Sequence, residues 1–247
     1  MDTLLLIGLV VLLALSFDFI NGFHDTANAI ATSVSTRALS PRMAIMLAAS
    51  LNFVGALTFT GVAKSIGGKV ADPATLDNGM IVIVATLIAA IAWNLITWWY
   101  GIPSSSSHAL IGSMAGAVVA AAGISGINFG GFGSIIMGLI FSPVIAFVVG
   151  FIVMKLVFKI FANFNPHRLN RNFRKMQIVT ACFQAFTHGT NDAQKAMGVI
   201  TFALVSGGLL PELEVPLWVK LAAATSMGLG TAVGGWKIIK TMGTKIF

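Results

Sequence analysis

Residues 21–29 read NGFHDTANA, and residues 188–196 read HGTNDAQKA. Superposed, they pair Gly22 with Gly189, Asp25 with Asp192 and Ala29 with Ala196, at an offset of 167 residues. Downstream, Ser50, Lys64 and Gly67 match Ser226, Lys240 and Gly243 at an offset of 176. The extra residues fit the Gly- and Pro-containing stretch from Gly207 to Pro216. Each Asp motif stands inside a long apolar run, so the chain reads as a duplicated membrane unit.

Composition agrees. Charged residues make up 9% of the 247 positions and hydrophobic residues 57%. A soluble domain carries about 25% charged residues. The mean hydropathy of +0.91 therefore requires an apolar surface. This excludes a soluble enzyme, a disordered chain and a nucleic-acid module. The single Cys182 excludes an internal disulfide framework or a multi-cysteine metal site.

A membrane span needs about 20 mostly apolar residues. Apolar stretches run from Leu4 to Ser35, Met43 to Ala63, Gly79 to Tyr100, Ser104 to Gly123, Ser134 to Phe161, Gln177 to Ser206 and Leu217 to Met242. Seven crossings are expected, making the fold all-α and polytopic. The first and sixth stretches are long and polar in the middle, which predicts broken helices or re-entrant hairpins there. The N-terminal run lacks a basic n-region and is read as the first span, not a removed signal.

Basic residues set the orientation. Lys155, Lys159, Arg168, Arg171, Arg174 and Lys175 mark a cytoplasmic segment. Counting spans outward from it puts eleven of the fifteen basic residues inside. The pI of about 9.9 is thus an orientation signal, not a nucleic-acid signal. About five crossings separate the two Asp motifs, so the second copy is inverted relative to the first. Inverted repeats characterise many secondary transporters. The chain divides into a first repeat (1–161, about five spans), a basic cytoplasmic loop (162–175) and the start of a second repeat (176–247).

Three of the eight carboxylates are intramembrane: Asp18, Asp25 and Asp192. A charge at that depth costs at least about 2.5–3.5 kcal/mol on insertion scales. Asp25 and Asp192 each precede a small-residue helix, where they could cap a free backbone N–H or line a pathway. Asp18 reads equally as a buried hydrogen-bonding partner. The third motif, GIPSSSSH (Gly101–His108), reads as a helix start. Pro suits the first helical turn, and serine hydroxyls satisfy free N–H groups. Such an N-terminus binds anions; the plainer alternative is a Ser-rich helix–helix contact. A Ser104–His108 hydrolase lacks the strand–turn–helix setting that such a nucleophile needs. His24, His108 and His188 are candidate proton relays, or neutral hydrogen-bond donors. Lys195, three residues after Asp192, either neutralises that carboxylate or binds the anion. Asn28, Asn191 and Gln194 have amide groups suited to a cation or an anion. The two carboxylates repel an anion unless a sodium ion or a proton neutralises them, which gives a mechanism for coupling. Carboxylates also accept hydrogen bonds from the hydroxyls of protonated phosphate, which sulfate lacks.

NGFHDTANA and HGTNDAQKA resemble the duplicated GxND-type signature of the inorganic phosphate transporter (Pit) family. GIPSSSSH is similar to that family's Pro-Ser/Thr-Ser/Thr-His element, and the form with His24 before Asp25 is similar to bacterial low-affinity members. The resemblance covers essentially the whole chain. It implies a plasma-membrane secondary transporter that moves phosphate with protons or sodium. No cofactor and no nucleic-acid partner are expected, and because membrane transporters often pair through apolar faces, a homodimer is one expectation. It carries Asp25, Asn191 and Asp192 to the substrate and cation region, and matches Ser105, Ser106, Ser107 and His108 to the Pro-Ser/Thr element. Two departures stand out. His24 replaces the expected Asn, and the second Pro-Ser/Thr-His element is expected at about 270–280, past Phe247, so the chain reads as about one and a half repeats. A sulfate permease on the same fold and a passive anion channel are the competing readings.

Overall fold

The computed structural model describes residues 3–61, 70, 78–234 and 239–240, except the side chain of Asn28. Among them there is no strand. The helices are α1 (Thr3–Ser35), α2 (Pro41–Thr58), α3 (Gly79–Tyr100), α4 (Ser106–Ala122), α5 (Phe129–Phe161), α6 (Pro166–Ser206) and α7 (Leu217–Gly234). A short 3-10 turn, Ile124–Gly126, joins α4 to α5. Each expected apolar stretch therefore holds a helix; the ends of the second and seventh stretches (62–63, 235–238 and 241–242), and Lys64, Gly67 and Gly243 of the downstream repeat, lie outside the described residues. By length and composition α1, α2, α3 and α5 suffice to cross a membrane, while α4 and α7 are shorter apolar helices.

The expected breaks in the first and sixth spans are not there. α1 runs unbroken through NGFHDTANA, and α6 runs unbroken for 41 residues through HGTNDAQKA. Polar side chains in mid-helix need not break it when neighbouring helices satisfy them, as they do for Asp25 and Asp192. The glycines of the motifs serve close approach instead. A Cβ on Gly22 would lie 2.3 Å from the Met227 carbonyl oxygen, and one on Gly189 would lie 2.2 Å from that of Asn52. Gly55 and Gly230 face the backbones of Phe186 and Phe19 in the same way. Small residues let helices meet backbone to backbone in a membrane.

The contacts are reciprocal: α1 packs on α7, α2 on α6, and α1 on α6. α1 and α6 are antiparallel. Ile7 meets Gly207, Asn21 meets Asp192, and Ser33 meets Gln177. The two Asp motifs thus cross in opposite directions at one level. Their apolar seam includes Phe17, Leu87, Met197, Ile200 and Met227, all essentially inaccessible.

The discontinuity falls at the Pro-Ser element. Gly101 ends α3 in the left-handed region, φ 66°, where its missing Cβ avoids a clash. Ser105 is the N-cap of α4, so Pro103 stands two residues before the cap rather than in the first turn. α3 and α4 therefore form a helical hairpin packed against α1. The turn reaches Asp25, which lies well inside α1.

The expected basic loop is mostly helix. Asn165 caps α6 and Pro166 opens it, so Arg168, Arg171, Arg174 and Lys175 lie in its first turns. Lys and Arg are good helix formers, and nothing in 166–175 stops the helix. α5 has no buried residue, and Phe147, Phe151 and Phe158 are all exposed. Such a surface suits hydrocarbon.

Candidate functional site

The Asp25 carboxylate sits on the N-terminus of α4. Its Oδ2 accepts from the Ser106 backbone N–H at 3.2 Å and from the Ser106 hydroxyl at 2.5 Å. Its Oδ1 lies 2.8 Å from His24 Nδ1. The helix end that the sequence assigned to an incoming anion thus holds an anion of the protein itself. The cause is ordinary: free N–H groups and the helix dipole attract the nearest negative charge.

His24 is locked from its other side. Its Nε2 lies 3.0 Å from Thr97 Oγ1 and 3.3 Å from Ser104 Oγ. Ser104, His24 and Asp25 fall in the order of a hydrolase triad. However, Ser104 donates to Thr97 at 3.1 Å, and Thr97 shares the ring nitrogen. The hydroxyl is consumed in structure, not poised for attack.

Ser106 bridges the two motifs. While donating to Asp25, its oxygen accepts from Lys195 Nζ at 3.0 Å. Lys195 also contacts Asp192 Oδ2 at 2.9 Å, the i,i+3 pair expected from spacing. Asn21 donates its amide to the same Oδ2 at 3.1 Å. His188 Nε2 lies 3.4 Å away, an electrostatic contact rather than a hydrogen bond. Its Nδ1 lies 3.2 Å from Asn52 Oδ1, and Asn52 donates to Thr26 and Thr231 at 2.8 and 2.9 Å. One polar chain therefore runs from α4 through α6 to α2 and α7. Ligand atoms of Asp25, His188 and Asp192 all lie within 4.8 Å of one another, close enough to hold a metal ion together. The carboxylate oxygens suit a hard cation such as sodium; the imidazole suits it less.

Not every expected residue joins this cluster. Ser105 is spent as a cap, accepting from the His108 N–H at 3.4 Å. Ser107 is partly exposed beside it, and Asn191 is exposed next to Asp192. Gln194 is buried, and donates to the Thr190 carbonyl at 2.7 Å. The side chain of Asn28 lies outside the described residues. His108 is exposed and lines a separate surface cavity of about 450 Å³ with Trp93 and Ser113. A helix start turns successive residues about 100° apart, so only Ser106 of the four serines faces the carboxylates. His108→Ala is accordingly expected to leave substrate uptake within about twofold of wild type, about 0.4 kcal/mol. Initial uptake rates in proteoliposomes check this.

Sequence reading passed over Asn21, Asn52, Thr97 and Thr231 as site residues. The signal was present: Asn52 and Asn94 are lone amides in otherwise apolar runs, and a buried amide in a membrane needs partners.

A family model described as the phosphate transporter family matches residues 21–247. The chain belongs to this family. It is 63% identical over its whole length to a probable low-affinity inorganic phosphate transporter of Bacillus subtilis (strain 168), covering 74% of that relative. A Rhizobium meliloti (strain 1021) relative with the same description is 45% identical, over 98% of this chain and 72% of its own. The low-affinity inorganic phosphate transporter PitB of Escherichia coli (strain K12) is 35% identical, with 83% and 47% covered. A solved structure described as the sodium-dependent phosphate transporter superposes with a TM-score of 0.83 at 25% identity, covering 96% of this chain and 78% of that one. The family resemblance carried by the two Asp motifs is therefore correct. This is a multi-pass protein of the bacterial plasma membrane, in a family of transporters and not of enzymes.

Proposed function

We propose that this phosphate transporter family member moves inorganic phosphate together with a proton or a sodium ion, with Asp25 and Asp192 as the coupling site. The observation that carries the reading is the Asp25 carboxylate on the α4 N-terminus, joined through Ser106 and Lys195 to Asp192. In this arrangement the groups best suited to phosphate, the Ser106 N–H and hydroxyl and the Lys195 ammonium, are held by the protein's own carboxylates. A cation between Asp25 and Asp192 draws both carboxylates toward itself. That frees the helix end and the ammonium for the substrate. Cation and anion then stabilise each other, and neither binds well alone.

We infer further that the two Asp motifs are halves of an inverted repeat. The antiparallel course of α1 and α6 and the reciprocal glycine contacts support this. The α3–α4 hairpin adds an even number of crossings at whatever depth it turns, so it leaves the opposite sense of the motifs intact.

The test is uptake of radiolabelled phosphate into proteoliposomes under imposed sodium or pH gradients, with sulfate as competitor. Accumulation above equilibrium that follows one gradient and resists excess sulfate is expected. Uptake that only equilibrates points to a channel, and uptake blocked by sulfate points to a sulfate permease; either outcome overturns the reading.

A further inference from the structure

Asp18 takes no part in the network above. It lies on α1 two turns before Asp25, is fully buried, and has no hydrogen-bond partner on either carboxylate oxygen among the described residues. Two more buried amides have unpaired atoms among the described residues. Asn21, three residues on and so on the same helical face, gives its amide N–H to Asp192 but leaves Oδ1 without a partner. Asn94 on α3 is equally buried, with both amide atoms unpartnered.

The register of α3 brings Asn94 to this level. Thr97 bonds His24 and Trp98 meets Phe23 edge-on, so Asn94, one turn before Thr97, lies within about one turn of the His24 level. Asn94 precedes Thr97 by three residues, as Asn21 precedes His24.

An unpaired charge in such a place is strongly destabilising, so the position favours a bound positive charge. A carboxylate and two amide oxygens are hard donors, and together suit one small positive charge. The charges that α6 brings near are Asp192 and Lys195, already paired to each other at 2.9 Å, with His188 beyond Asp192. The other helices packed on α1 add little. α2 has only Arg42, at its start; α3 only Tyr100, at its end; α4 only the exposed His108; and α7 only Lys220, near its start. On α1 itself, His24 and Asp25 are bound to each other.

We propose that Asp18, with the amide oxygens of Asn21 and Asn94, is a second cation-loading position, separate from Asp25 and Asp192, that takes up one proton or one sodium ion. Its role in transport rests on the symport reading; its occupancy does not. In that role it gives the cycle one more positive charge per phosphate than the Asp25–Asp192 site provides, and places that charge next to the Asp192–Lys195 pair.

The test is infrared difference spectroscopy on the purified full chain in lipid nanodiscs, wild type against Asp18→Asn, across pH and sodium concentration. A protonated-carboxyl band at neutral pH without sodium, absent from the variant, identifies a proton at Asp18. Bleaching of that band by sodium, or a sodium-induced carboxylate shift absent from the variant, identifies sodium. Asn94→Ala keeps Asp18 and is expected to move the corresponding midpoint by about tenfold, or one pH unit. It serves as the readout where Asp18→Asn fails to fold. Spectra in which no carboxyl or carboxylate band differs between wild type and either variant overturn the proposal. Gradient-independent uptake alongside an Asp18 band instead sinks the symport reading and leaves the site standing.

Discussion

Asp25→Asn is expected to reduce gradient-driven phosphate accumulation by about 100-fold or more, equivalent to about 2.7 kcal/mol of lost coupling. Asn keeps the shape of the side chain, and its amide oxygen still accepts from the Ser106 N–H. What disappears is the negative charge. Without it, the site at which Asp25, His188 and Asp192 converge loses one of its two carboxylates. A charge-assisted hydrogen bond contributes about 1.5–3 kcal/mol. Replacing it by a neutral bond also weakens the hold that Asp25 has on the α4 N-terminus. The variant should therefore bind phosphate with an affinity that no longer responds to the coupling cation. Equilibrium binding to purified protein, with and without sodium and at two pH values, separates these effects. Retained accumulation in Asp25→Asn would remove Asp25 from the coupling step.

Gly189→Ala is expected to destabilise the helix bundle by about 3 kcal/mol or more, at or beyond the usual range for overpacking. A Cβ at this position would lie 2.2 Å from the Asn52 carbonyl oxygen and 2.5 Å from the Asn52 Cα. Those are backbone atoms of α2, so no side chain can swing aside. The helices must separate, and the Asn52–His188 contact between them separates too, which strains the Asn52 bonds to Thr26 and Thr231. Gly8→Ala is the matched control, because nothing lies within 4 Å of its Cβ position. There the helix propensity of Ala should leave stability unchanged or raise it by up to about 1 kcal/mol. Thermal unfolding of the two variants in the same detergent distinguishes them. Equal midpoints would contradict the close α2–α6 contact.

These two residues also separate what a sequence can say from what it cannot. The seven apolar runs were readable as helices because length and hydropathy are local quantities. The pairing of Asp25 with Asp192 was readable because the two motifs repeat in spelling. The i,i+3 contact of Lys195 with Asp192 followed from helical spacing alone. By contrast, glycine and polar residues in mid-span read as breaks. Whether a glycine interrupts a helix or lets another one approach depends on what stands opposite it, and that is set by residues more than a hundred positions away. The basic stretch after Phe161 read as a loop for the related reason that charge suggests exposure, and exposure does not exclude a helix.

The sequence alone therefore determined the solvent this protein is built for, its helical class, the family and the acidic pair at its centre. Each rests on composition, periodicity or a repeated motif carried in the chain. Only the tertiary structure decided what touches those acids. It placed Asp25 on the end of α4, made Ser106 rather than its serine neighbours the bridge, turned His108 outward, and left Asp18 buried without a partner among the described residues. Electrostatic partnership depends on separations of about 3 Å between groups far apart in the chain, and charge screening or exposure a few ångströms away changes its sign of importance. No local pattern contains that distance; the packing of α1, α3, α4 and α6 does.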